Sequence, residues 1–181
     1  MALARGIFIL ALALSACTND SGQAPVTSPS GVSADGIERS GVDAQALHMA
    51  ALTLDTHVDI EPDFATAAVD PLDAPLQVNL HGMQQGGLDA AFFIVYVAQT
   101  ARTPENYAKA AADALIKFAA IHRMTDELYA DRIGLAYRAA DVERLVGEGK
   151  LVAAIGVENG YVLGRDLENL DRFYELGARY V

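Results

Sequence analysis

Two hydrophobic periods alternate along this chain. Leu52 to Ile60 begins as an apolar run rich in β-formers, and Leu88 to Ala98 (LDAAFFIVYVA) and Leu151 to Val157 (LVAAIGV) are almost unbroken apolar stretches. Runs of that length suit strands covered on both faces, as in a parallel sheet. Between them the period changes to that of a helix. Thr103-Pro104-Glu105 opens one with a hydroxyl cap, a proline at the first helical position and an acid near the positive end of the dipole. Tyr107, Ala111, Leu115, Phe118, Ile121 and Leu128 then form one apolar stripe over about seven turns. Shorter helices are expected over Asp43–Ala51, from an Asp141 cap through Glu148 with Gly149 as the stop, and from an Asp166 cap with Leu167, Leu170, Phe173 and Leu176 facing inward and Gly177 closing it. Ala178 to Val181 starts a fourth strand. Glu61 to Pro75 carries three prolines and several acids, so it reads as an irregular loop placed to lie over a site. Parallel neighbours require crossover connections, so strand and helix in alternation predict a parallel sheet with helices packed outside it.

The first residues belong to a different pattern. Arg5 is a positive start, Gly6 to Ala13 is an apolar segment too short to span a bilayer, and Leu14-Ser15-Ala16-Cys17 closes it with small residues. This resembles a bacterial lipoprotein signal. It implies a signal peptide over 1–16, lipidation of Cys17, and a flexible tether over 17–41 rich in Ser, Gly, Pro, Asp and Thr. Thr18 after the cysteine favours the periplasmic face of the outer membrane in a bacterial cell envelope. An ordinary secretory signal with a free cysteine is the alternative. Cys17 is the only cysteine, so the domain over 42–181 holds together without a disulfide. Its 140 residues, in a chain that is 52% hydrophobic, suffice for one core. A net charge of −11 leaves no basic patch for nucleic acid.

The chemistry gathers at strand ends. His57 and Asp59 end the first strand two residues apart, and in an extended chain such residues share a face, where an imidazole nitrogen and a carboxylate oxygen can grip one divalent ion. A short His-x-Asp triplet is often just surface polarity, but this one follows an apolar strand, where barrels and open α/β sheets place their sites. Glu158 ends the third apolar run, before Asn159-Gly160. It reads either as an exposed loop acid, with Arg165 as a partner, or as a carboxylate bridging two ions. His48 reads as a surface or helix-packing residue and His122 as packing or solvated.

Three separated segments carry a resemblance. Asp55-Thr56-His57-Val58-Asp59, the stretch from Asn79-Leu80 through Gly86-Gly87-Leu88-Asp89 to Val97, and Ile155-Gly156-Val157-Glu158-Asn159-Gly160 resemble the membrane dipeptidase (renal dipeptidase) family of the metal-dependent amidohydrolase superfamily. Leu176 to Val181 resembles that family's approach to its next strand. The resemblance implies the N-terminal half of a (β/α)8 TIM-type barrel. It also implies a site for two zinc ions, with His57 and Asp59 on the first, Glu158 bridging the pair as a catalytic residue, and a shared hydroxide that attacks a dipeptide carbonyl. Dipeptides, some with a D-residue at the carboxyl end, are the implied substrates; the membrane is the partner of the lipid anchor, and a homodimer is left open. Many relatives have a histidine where Tyr161 stands, which bears on substrate contacts. The other zinc histidines, a transition-state histidine and a catalytic aspartate are expected beyond Val181, since such a barrel takes about 250 residues, and His81 and His122 do not replace them. Residues 1–181 alone are accordingly expected to leave the site incomplete. Another amidohydrolase chemistry, such as lactone hydrolysis, and a non-catalytic envelope lipoprotein or truncated remnant are the alternatives.

Overall fold

The computed structural model describes residues 43–181; the expected leader, Cys17 and the tether lie outside the described residues. Twelve elements follow in order: helix α1 (Ala44–Ala50), strand β1 (Leu54–Asp59), α2 (Leu80–Gly86), β2 (Ala90–Tyr96), α3 (Pro104–His122) running into a π-helical turn (Arg123–Leu128), β3 (Ile133–Leu135), α4 (Ala139–Gly147), β4 (Leu151–Glu158), a 3-10 turn (Gly160–Leu163), α5 (Glu168–Glu175) and β5 (Ala178–Tyr180). Every strand pairing is parallel. The order is β1-β2-β4, and the far edge of β4 is shared: β3 pairs with its first half and β5 with its second. No helix among the described residues is long and apolar enough to cross a membrane.

Strand pleating sends alternate residues to opposite faces. Ala91, Phe93 and Val95 of β2 and Leu151, Ala153, Ile155 and Val157 of β4 face outward into the main core, where they meet Ala110, Ala114, Phe118 and Ile121 of α3 and Phe173 of α5. The alanines let α3 approach the sheet closely, and the Phe118 and Phe173 rings pack with centroids 5.1 Å apart. Each large side chain sealed there contributes roughly 1.5–3 kcal/mol. The amino ends of β1 and β2 are tied by polar contacts: Thr53 N–H donates to the Asp89 carboxylate at 2.8 Å, and the Thr53 hydroxyl donates to the Gly87 carbonyl at 2.6 Å. Gly87 needs its φ of +64°, and a side chain there would also strike Met49.

Four local expectations differ from the structure. The buried stripe of α3 is Ala110, Ala114, Lys117, Phe118, Ile121 and, in the π turn, Met124, whereas Leu128 is 45% exposed. The widened turn rotates the later residues off the helical period. Leu167 and Leu170 are also exposed, because α5 is buried only at Phe173. Helix α4 starts at Ala139, ahead of Asp141, whose carboxylate accepts the Tyr137 N–H at 3.1 Å from within the first turn. Strand β3, Ile-Gly-Leu, is not expected from the pattern, being too short to show a period; its Gly134 leaves room for Leu145.

Candidate metal centre

Strand β1 is not regular. Leu54 and Asp55 stand opposite Ala90 and Ala91, while Val58 and Asp59 stand opposite Phe93 and Ile94, so β1 spends one extra residue between the two pairs. Such a bulge re-aims the side chains that follow it. Two contacts fix it: the Asp55 carboxylate accepts the His57 N–H at 2.9 Å, and the Tyr180 hydroxyl from β5 donates to the Thr56 carbonyl at 2.8 Å. Tyr180 reaches across the inner face of the sheet because Gly156 has no side chain; a Cβ there would lie 2.2 Å from the tyrosine ring. Burial pushes the Tyr180 phenol pKa up, and the carboxylates of Glu158, Asp55 and Asp59 add to this, so it remains a donor at neutral pH.

Beyond the bulge His57 and Asp59 meet, with His57 Nε2 3.4 Å from Asp59 Oδ1. Glu158 closes the group from the end of β4, where it stands in register with Tyr96, and its Oε2 is 3.4 Å from the same imidazole nitrogen. One ligand atom from each of the three lies within 4.8 Å of the others. All three side chains are open to solvent, at 46%, 68% and 44% exposure. An imidazole and two carboxylates match what zinc and similar divalent ions accept. Two carboxylates held this close also favour a positive charge between them. Of the residues singled out in the sequence, His57, Asp59 and Glu158 are brought together. His48 instead approaches the Gly86 carbonyl at 2.7 Å, and His122 approaches the Leu176 carbonyl at 2.9 Å.

Asn159 follows Glu158 at φ 62° and ψ 152°, a region that only glycine occupies freely and that costs a side-chain-bearing residue about 1–3 kcal/mol. Its carboxamide accepts the Tyr161 N–H at 2.9 Å. Tyr161 is buried; its hydroxyl lies 2.8 Å from Thr100 Oγ1 and donates to the Ala101 carbonyl at 3.1 Å. It therefore ties the loop after β4 to the loop after β2. The segment after β1 is fastened as firmly. Lys117 Nζ donates to the Ile60 carbonyl, Arg123 to the Ala65 carbonyl, and the Tyr129 hydroxyl to the Asp70 carboxylate. Glu61 and Pro62 flank the site and line a cleft beside Asp59.

Sequence reasoning does not single out Lys117. Burial pushes its ammonium pKa down, opposed by the negative charges of Glu61, Asp59 and Glu158. The signal is present in the residues, since positions 110, 114, 117 and 121 share one face of the helix and a cation stands among two alanines and an isoleucine.

The class of protein is set by this arrangement: a parallel α/β sheet, part of a TIM-type barrel, carrying a candidate metal site at the carboxyl edge where barrels place their chemistry. Residues 42–181 match the model of the membrane dipeptidase family, Peptidase family M19, and the chain belongs to that family. Among curated relatives, dipeptidase tcpJ of Claviceps purpurea is 33% identical over 108 residues, covering 58% of this chain and 25% of the relative. Dipeptidase ataJ of Aspergillus terreus is 29% identical over 113 residues, covering 60% and 27%. The chain thus spans about a quarter of the length of these relatives. The solved structure of the probable dipeptidase PvdM from Pseudomonas aeruginosa superimposes with a TM-score of 0.68 at 27% identity, over 75% of this chain and 35% of that one. A metallo peptidase from Rhodobacter sphaeroides, liganded with a phosphinate mimic of the dipeptide L-Ala-D-Ala, shares the fold with a TM-score of 0.57 at 19% identity, over 71% and 44%.

Proposed function

We propose that this chain carries the first metal-binding elements of a zinc-dependent dipeptidase, anchored by lipid in the bacterial envelope, that cleaves dipeptides including those with a D-residue at the carboxyl end. The convergence of His57, Asp59 and Glu158 within a membrane dipeptidase domain carries this reading. His57 and Asp59 would hold one zinc, and Glu158, whose carboxylate has two oxygens, would be shared with a second. When bound, zinc supplies Lewis-acid activation of the amide carbonyl and of the attacking water. The chain's own part is to present the ligands without rearrangement. The bulge in β1 aims His57, and the register of β2 with β4 brings Glu158 beside it. The placement in the envelope rests on the Leu14 to Cys17 pattern. Substituting His57→Ala in a protein that carries the complete barrel is the direct test. Bound zinc, read by elemental analysis, and hydrolysis of L-Ala-D-Ala are both expected to fall at least tenfold, the scale on which perturbed metal sites lose affinity or activity. Retention of both would refute the reading.

A further inference from the structure

The cleft beside Asp59 has a volume of about 640 Å3 and runs between the loops after β1 and β2 and the exposed flank of α3. Ile60, Val97, Ala110 and Ile116 make much of its wall apolar. Lys117 lines it too, although this residue is only 7% exposed. An ammonium has three N–H donors. Among the described residues the Ile60 carbonyl is its one hydrogen-bond acceptor, and no carboxylate forms an ion pair with it. The other charges nearby do not take up its remaining donors. Lys109 and Asp113 pair with each other at 2.5 Å, and Glu61 stands exposed on the rim, where solvent screens it. Asp59 and Glu158 are turned to the metal centre. The Tyr96 ring, 5.9 Å from Nζ, adds a polarisable face. A cation with free donors, set in an apolar wall next to the reacting centre, is what a substrate carboxylate needs, because charge-assisted hydrogen bonds gain strength where water is excluded.

We propose that this cleft is a subsite for a substrate side chain and that Lys117 selects an acidic one there. The inference rests on the dipeptidase reading and narrows its substrate class to dipeptides containing glutamate or aspartate. Lys117 acts as a specificity-determining contact and takes no part in bond cleavage. The alternative role for the same side chain is purely mechanical, holding the Ile60 carbonyl and hence the end of β1.

Isosteric pairs separate these roles. With a protein that carries the complete barrel, L-Glu-L-Ala is compared with L-Gln-L-Ala, and L-Ala-L-Glu with L-Ala-L-Gln, both by hydrolysis and by calorimetric binding to the zinc-loaded protein. In one of the two pairs the acidic member is expected to bind about tenfold more tightly, the difference appearing in KM rather than kcat and shrinking as salt is raised. Lys117→Met should abolish that preference, so that the acidic and amide members of the pair bind alike whatever loss the freed Ile60 carbonyl imposes on both, and Lys117→Arg, which keeps the charge, should retain part of it. Equal binding of acid and amide by the unaltered protein overturns the inference even when hydrolysis proceeds, and it needs no Lys117 variant that folds. An equal loss on every peptide in Lys117→Met overturns it in favour of the mechanical role. Binding of the acidic peptides without hydrolysis of any dipeptide leaves the subsite standing and removes the dipeptidase reading instead.

Discussion

The two faces of β4 differ although they belong to one strand. Leu151, Ala153, Ile155 and Val157 are sealed against α3 and α5, and the face they form is redundant in the sense that many side chains together exclude water. Val152, Ala154, Gly156 and Glu158 alternate with them on the inner face; Val152 packs there with Ala90, Ala136 and Leu145 in a smaller apolar cluster, but toward the carboxyl end of the strand single residues carry single roles. Gly156 yields space to Tyr180, and Glu158 meets His57. At its carboxyl end the pleated strand thus sets packing and chemistry on opposite faces at a spacing of one residue. Substitution of Glu158 should not report on the packing behind Val157.

The largest effect that tests this separation comes from the outer side. Phe118→Ala, which empties a sealed position against Phe173, should cost about 3–5 kcal/mol in urea unfolding. Glu158→Gln on the inner face should leave stability within about 0.5 kcal/mol while removing most of the bound metal and activity; a large loss of stability there would show that the two faces are not independent. Gly156→Ala is the sharper case, because its new methyl collides with the Tyr180 ring. It should destabilise by about 1–3 kcal/mol and also weaken metal binding, since Tyr180 holds the bulge ahead of His57. Unchanged metal affinity in a folded Gly156→Ala protein would remove Tyr180 from the support of the site.

The smallest expected effect concerns the contact between Tyr129 and Asp70. The hydrogen bond holds the Asp70 carboxyl below its usual pKa and pushes the Tyr129 phenol up to about 12, with burial and the charge of Asp70 adding to the latter. A depressed carboxylate pKa means stability that is present above the unfolded value and is lost as pH falls through the folded one. A raised phenol pKa means stability that is complete below the unfolded value, near 10, and is lost as pH rises through about 12. Tyr129→Phe should therefore cost about 1 kcal/mol between the two limits, and its difference from the unaltered protein should begin to close below about pH 4 and above about pH 10. Denaturation midpoints measured across pH check this, and a pH-independent difference would mean that packing, not the hydrogen bond, is lost.

Much of this architecture can be read from the residues. The unbroken apolar runs at β2 and β4 announce a covered parallel sheet, and Thr103-Pro104 marks the start of α3 at the position observed. His57 and Asp59 are legible as a pair because their two-residue spacing is local. The bulge ahead of them is not, since it exists only relative to the register of β2. That Glu158 meets His57 depends on β4 lying two strands from β1, a relation between positions about a hundred residues apart that no local period encodes. Lys117 escapes notice because a charge in an amphipathic stripe is assumed to face water. Leu128 is misplaced because nothing in its spacing signals that α3 widens into a π turn before reaching it.

The fastening of the segment after β1 to α3, through Lys117, Arg123 and Tyr129, has a consequence in time as well as in position. A ligand at the end of a free loop has to be recruited, and each encounter with an ion then waits for the chain to come into order. Here three hydrogen bonds tie the segment after β1 to the long helix and its π turn, so on the metal reading proposed above an arriving ion would meet His57 and Asp59 already in place. Capture would then be paced by how quickly the ion sheds its own water, and release by the strength of the bonds it makes, with no ordering of this segment hidden in either rate.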